Sequence, residues 1–78
     1  MTLKIISSSE ILFSGEVDAV SLPGQMGRFM VLRNHASLIA VLVKGMVRYR
    51  KGDAPEEEVE IKGGLVDVDN NVVSVCIY

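Results

Sequence analysis

The chain has 78 residues, of which 49% are hydrophobic, and a formal net charge of −2 from ten acids and eight bases. We predict one domain over residues 1–78, because two halves would each be too small to bury a core. The acidic balance argues against nucleic acid as the main partner. The longest apolar run, 38–43, is far below the roughly 20 residues of a membrane-spanning helix, so no direct membrane insertion is expected.

The first and second segments predict strands at Leu3–Ser7 and Ile11–Leu22, since they are rich in branched residues and end at polar or glycine residues. In the second segment the apolar positions change parity between Val17 and Val20. A strand whose inward face switches needs a bulge or a bend, through which one long strand can serve two sheets.

The stretch "PGQMGR" predicts a turn before a strand at Arg28–Leu32. A glycine-rich loop that binds phosphate runs from a strand into a helix, whereas strands are predicted on both sides here. The turn itself does not explain the tip residues Gln25, Met26 and Arg28, which combine a flexible apolar side chain with a positive charge. Methionine suits adaptable protein contacts, and we therefore predict an interface at this loop.

The corner "RNHAS" contains the only histidine, His35. On paper, Ser37 with Asp18 or Asp67 completes a catalytic set, but no local signature marks a serine nucleophile. We therefore predict a structural or interface histidine, no catalytic residue and no metal site. The run that follows, Leu38–Val43, has no usable period; a helical turn is possible, and the nearby glycine favours a strand.

The segment "MVRYRKGDAPEEEVEIK" predicts a hairpin of strands Met46–Arg50 and Glu58–Lys62. The predicted register pairs Tyr49 with Val59 and Val47 with Ile61 on the apolar face, and Arg50 with Glu58 and Arg48 with Glu60 on the polar face. The tyrosine among basic residues keeps open an alternative, a small β-barrel module that binds single-stranded nucleic acid. A basic face neutralised by its own glutamates is favoured instead.

The last segments predict strands at Leu65–Asp69 and Val72–Ile77, joined by a two-residue turn at Asn70 and Asn71. The turn pairs Val68 with Val73 and Val66 with Val75. The single cysteine, Cys76, excludes an intrachain disulfide, fits a reducing compartment and is predicted as a small core residue. Eight or more strands with one bent strand predict an all-β fold, a small β-sandwich or flattened barrel.

In order and spacing, the stretches "ILFSGEVDAVSLPG", "GRFMVLRNHASLI", "KGMVRYRKG" and "IKGGLVDVDNNVVSV" resemble the N-terminal domain of the ε subunit of bacterial F-type ATP synthase, called δ in mitochondria. The resemblance covers the whole chain. It implies a sandwich of about ten short strands in two sheets. It also implies a non-catalytic rotor subunit, peripheral on the cytoplasmic face of the bacterial inner membrane, that couples ion-driven c-ring rotation to ATP synthesis.

By the same resemblance, Gln25, Met26, Gly27 and Arg28 lie against the c-ring, and His35, Ala36 and Ser37 lie toward the γ subunit. Typical members have Gly, Pro and Pro where this chain has Met30, Arg33 and Ser37, which implies a less restricted corner before His35. No cofactor is expected. Many members continue into an inhibitory helical hairpin that binds ATP in some; the chain ends where it would start, so no nucleotide is expected.

Overall fold

The computed structural model describes residues 1–78 and contains nine β-strands and no helix. The strands are β1 Thr2–Ile6, β2 Ile11–Glu16, β3 Ala19–Gly24, β4 Gly27–Leu32, β5 Leu38–Leu42, β6 Gly45–Arg50, β7 Glu57–Ile61, β8 Gly64–Asp69 and β9 Val72–Ile77. The all-β prediction is confirmed, with nine strands instead of about ten. The structure has no helix that could cross a membrane.

The strands form one continuous, strongly curled sheet that folds over into two layers. Strands β2, β1, β9, β8 and β5 are adjacent in that order and form the layer called sheet 1, while β4, β3, β6 and β7 form sheet 2. The layers are joined where the end of β3 pairs with the end of β5, at Gly24 and Leu42. The first and last strands, β1 and β9, pair in parallel, so the middle of sheet 1 requires both ends of the sequence.

The core lies between the two layers and consists of apolar side chains alone. Fourteen hydrophobic residues are buried, and no polar or charged residue is. They alternate along the strands, as in β8, where Val66 and Val68 point inward and Asp67 points outward. The fold therefore depends on apolar burial and on its backbone hydrogen bonds.

The predicted second strand is broken into β2 and β3 at Val17 and Asp18, where the inward face was expected to switch. β2 belongs to sheet 1 and β3 to sheet 2, so the expected passage between layers is confirmed. Asp18 secures the break, because its carboxylate accepts a hydrogen bond from the Gly52 amide at 2.5 Å and lies 3.1 Å from the Arg33 guanidinium.

One of the two predicted hairpin registers is confirmed and the other is wrong. Val68 pairs with Val73, and the turn residues Asn70 and Asn71 have φ angles of 50° and 62°. In the β6–β7 hairpin the register is displaced by two residues: Val47 pairs with Val59, Arg48 with Glu58 and Tyr49 with Glu57. A two-residue shift keeps every side chain on its predicted face, and therefore the face pattern did not reveal it.

Cys76, which was predicted as a core residue, is exposed, and so is Ile11 at the start of β2. Cys76 lies on the outer face of β9, because Val73 and Val75 take the inward positions of that strand. Ile11 is 67% exposed. The register of β1 and β2 shifts between Ile5 and Ile6, so that Ile6 pairs with Ile11, and this bulge turns Ile11 outward.

Tyr49 is half-buried against Phe13, and its phenol predicts a pH dependence of stability. Their ring centroids are 4.4 Å apart, and burial, then the Glu57 carboxylate, raises the pKa of the Tyr49 phenol. The folded chain therefore holds this proton more tightly than the unfolded chain, whose tyrosine pKa is about 10. The free energy of unfolding should fall as pH rises from about 10 through the folded pKa. Urea titrations should show a smaller fall for Tyr49→Phe but not for Tyr78→Phe, which changes a tyrosine that is 82% exposed.

Candidate functional site

The turn between β3 and β4 presents Met26 to solvent at the edge of the fold. Its side chain is 99% exposed, and Gly27 follows it with a φ of 123°, a conformation that favours glycine. The Gln25 amide donates to the Val41 carbonyl at 2.9 Å, which attaches the turn to β5. The structure thus places an exposed apolar side chain on an anchored turn.

Arg28 does not project from this turn with Met26. Its Nη1 donates to Ser21 Oγ at 2.9 Å and its Nη2 donates to the Met46 carbonyl at 2.7 Å. The side chain therefore lies across the outer face of sheet 2 and links β4, β3 and β6. Its positive charge is held beside the turn, in one place, by two neighbouring strands.

A shallow open depression of about 290 Å³ lies between the β3–β4 turn and β5. Phe29, Ile39 and Val41 line it together with Met26. At the edge of this depression, Gly24 of β3 lies close to β4. A Cβ at position 24 would lie 2.7 Å from the Gly27 carbonyl oxygen and 2.9 Å from the Phe29 ring, so this packing requires glycine. The turn and β5 thus form a continuous apolar surface.

His35 and Ser37 occupy the opposite end of β4 and β5 from Met26, and they are not arranged for catalysis. No hydrogen bond joins His35 to Ser37, Asp18 or Asp67. The His35 Nδ1 lies 2.7 Å from the Ala36 carbonyl oxygen, and since that oxygen only accepts, Nδ1 must carry the proton. Ser37 instead donates to Asp69 at 2.6 Å. The corner is a polar surface and not a nucleophile with its base.

The outer face of sheet 1 carries a row of apolar side chains that sequence reasoning missed. Direct pairing connects one residue from each of the five strands, and we call them the apolar row: Val41, Leu65, Cys76, Ile6 and Ile11. Residues that pair directly share a face of the sheet. Val41, Leu65 and Ile11 are exposed large hydrophobic residues. Because Val41 also lines the depression below Met26, the row is continuous with the turn.

The basic residues of β6 lie away from any exposed aromatic ring. Arg48 and Arg50 are on the outer face of sheet 2, and Arg48 Nε donates to Glu58 Oε2 at 2.7 Å. Tyr49 points the other way and packs on Phe13 against the core. The platform of stacking rings beside cations that single-stranded nucleic acid requires is therefore not formed by these residues.

The sequence of the chain matches the family described as "ATP synthase, Delta/Epsilon chain, beta-sandwich domain" over residues 1–77. It is 39% identical to the ATP synthase epsilon chain of Leptospira borgpetersenii over 96% of its own length and 58% of that protein. It is 41% identical to the epsilon chain of Chlorobaculum tepidum, over 90% of its own length and 80% of that protein. The chain thus spans little more than half of the Leptospira relative.

Two solved structures share the fold at low sequence identity. A chain in the cryo-EM structure of the Euglena gracilis mitochondrial ATP synthase, OSCP/F1/c-ring, superimposes with a TM-score of 0.89 at 22% identity, over 96% of this chain and 48% of that one. A chain of the Tetrahymena thermophila mitochondrial ATP synthase central stalk and c-ring gives 0.81 at 11% identity, over 97% and 61%. At these identities the likeness is one of fold.

Proposed function

Because the chain belongs to the family of the ATP synthase delta/epsilon β-sandwich domain, we propose that it is a non-catalytic rotor subunit of the central stalk. In this role it attaches the γ subunit to the c-ring, so that ion-driven rotation of the ring reaches the sites of ATP synthesis. In the proposed assembly this subunit is a peripheral part of the ATP synthase, on the cytoplasmic face of the bacterial membrane. Its task is mechanical and calls for two contact surfaces held rigidly together.

The apolar row is the observation that carries the proposal. A chain of 78 residues with a fully apolar interior also exposes a band of apolar side chains across all five strands of sheet 1. Contiguous exposed apolar surface marks protein contacts. In the proposed assembly the γ subunit covers this outer face of sheet 1, from the apolar row to the His35–Ser37 corner.

The turn at Gln25–Arg28 is the proposed contact with the c-ring. It lies at one end of the β3–β4 hairpin, and the His35 corner lies at the other, a strand of six residues away, which is about 20 Å. Met26 offers the ring an exposed apolar side chain at the tip, and Arg28 offers a positive charge fixed beside it. A subunit touching γ along one face and the ring at one end joins the two.

The test is reconstitution with the γ subunit and the c-ring of the same organism. We expect the tagged chain, co-expressed with γ, to leave a size-exclusion column as a stable pair, and to retain the c-ring when all three are present. A monomer without affinity for γ or for the ring would refute the proposed function. A chain that instead gives a salt-dependent gel shift with single-stranded nucleic acid would support the alternative.

A further inference from the structure

The β4–β5 corner that contains His35 is fastened to the β8–β9 turn by a pair of side-chain amides. The Asn34 backbone N–H donates to Asn71 Oδ1 at 2.6 Å. In the other direction, Asn71 Nδ2 donates to the side-chain oxygen Asn34 Oδ1 at 2.9 Å. The two asparagines are 37 residues apart in sequence. The single side chain of Asn71 therefore engages both the backbone and the side chain of the corner.

Further polar contacts hold the corner on either side of His35. Ser37 Oγ donates to Asp69 Oδ1 at 2.6 Å. The β8–β9 hairpin therefore contacts the corner through both Asp69 and Asn71. Arg33 pairs with Asp18 at 3.1 Å, which attaches the corner to the β2–β3 break. Arg33 and Ser37, on either side of His35, thus both make tertiary polar contacts.

The β8–β9 turn is a fixed support for these contacts. Its register is continuous through Asp69 and Val72, and the Thr2 amide donates to the Asn71 carbonyl at 2.9 Å, which ties the turn to β1. Asn34 and Asn71 both have a φ of 62°, which asparagine tolerates better than most residues. Sheet 1 thus fixes the β8–β9 turn, and that turn fixes the β4–β5 corner through hydrogen bonds.

These hydrogen bonds are exposed, and exposed polar contacts contribute little to global stability. Because all three hydrogen bonds act on the β4–β5 corner, they fix the conformation of that corner instead. His35 and Ala36 lie between the anchored residues Asn34 and Ser37. Within this segment the His35 backbone N–H donates to the Leu32 carbonyl at 3.2 Å and His35 Nδ1 contacts the Ala36 carbonyl oxygen, and both contacts are local. Preorganised loops bind more tightly because less conformational entropy is lost on binding.

We propose that Asn71 and Asp69 are positioning residues that hold His35, Ala36 and Ser37 in the conformation that binds the γ subunit. They act through their hydrogen bonds to Asn34 and Ser37. The inference rests on the proposed function, since it concerns the same γ contact.

The test compares Asn71→Gly with Asn70→Gly. Glycine accepts the positive φ of both positions, but only Asn71 loses hydrogen bonds to the corner. We expect both variants to unfold at similar urea concentrations. In Asn71→Gly, hydrogen exchange at the Asn34 amide should become at least about tenfold faster, and the affinity for γ should fall about tenfold, mainly through a faster off-rate. Asn70→Gly should leave both unchanged.

Two further variants separate the contributions. Asn71→Asp keeps the acceptor for the Asn34 amide and loses the Nδ2 donor, so its γ affinity should fall between wild type and Asn71→Gly. Asp69→Ala should also weaken γ binding, because Ser37 loses its acceptor. If Asn34 exchange accelerates in Asn71→Gly while γ affinity equals that of Asn70→Gly, the positioning role is overturned. If wild type itself does not bind γ, the proposed function fails first, and the inference fails with it.

Discussion

Gly64→Ala is expected to abolish folding, or to lower the free energy of unfolding by at least about 3 kcal/mol. A Cβ at this position would overlap the Cys76 carbonyl oxygen and lie 3.0 Å from Ile77 Cα on the adjacent strand. Both neighbours are backbone, so no side-chain rotation relieves the overlap, and the φ of 157° adds strain. For a domain of this length, whose whole stability is roughly 4–12 kcal/mol, such a loss is severe.

Gly52→Ala is the matched control. Gly52 also has a positive φ, 57°, but its Cβ would meet only Asp18 Oδ2 at 4.0 Å. Left-handed strain alone costs about 1–2 kcal/mol. Urea unfolding followed by circular dichroism should therefore rank wild type, Gly52→Ala and Gly64→Ala in order of falling stability. Equal losses in the two variants would show that φ, and not the close approach of β9, is what requires glycine at 64.

Local patterns in the sequence were enough to predict most of the fold. The Asn70–Asn71 turn fixed the β8–β9 register, because only two residues separate the strands and both accept positive φ angles. The β6–β7 hairpin has six residues between its strands, so several registers satisfy the same alternation. In the observed register the Gly52 amide, in the loop of this hairpin, donates to the Asp18 carboxylate. Asp18 is distant in sequence, so the local pattern of the hairpin could not predict this contact.

The candidate site could be predicted only in part. The exposed Met26 follows from the turn "PGQMGR", because a turn between two strands lies on the surface. The apolar row was missed because it depends on the parallel pairing of β1 with β9, the two ends of the sequence. It also depends on the bulge that turns Ile11 outward. The Asn34–Asn71 contact was missed for the same reason, since neither asparagine has a local signal for the other.

Leu65→Glu is expected to abolish stable binding of the γ subunit, with an affinity loss of about 30-fold or more. Leu65 is a central member of the apolar row, paired with Val41 on one side and Cys76 on the other. Glutamate there removes apolar area from the contact and buries a charge without a partner, which is costly in an interface. The free chain should fold normally, because the Leu65 side chain is 51% exposed and is not part of the core.

Met30→Glu is the control for this result, because Met30 is 55% exposed and points outward from sheet 2, away from the apolar row. The two variants have the same change of charge and nearly the same exposure, so a difference between them reports which face is covered. Titration of each variant against γ by calorimetry should show binding lost for Leu65→Glu and kept for Met30→Glu. The reverse ranking would place γ on sheet 2, whereas equal binding by both variants would remove the apolar row from the contact.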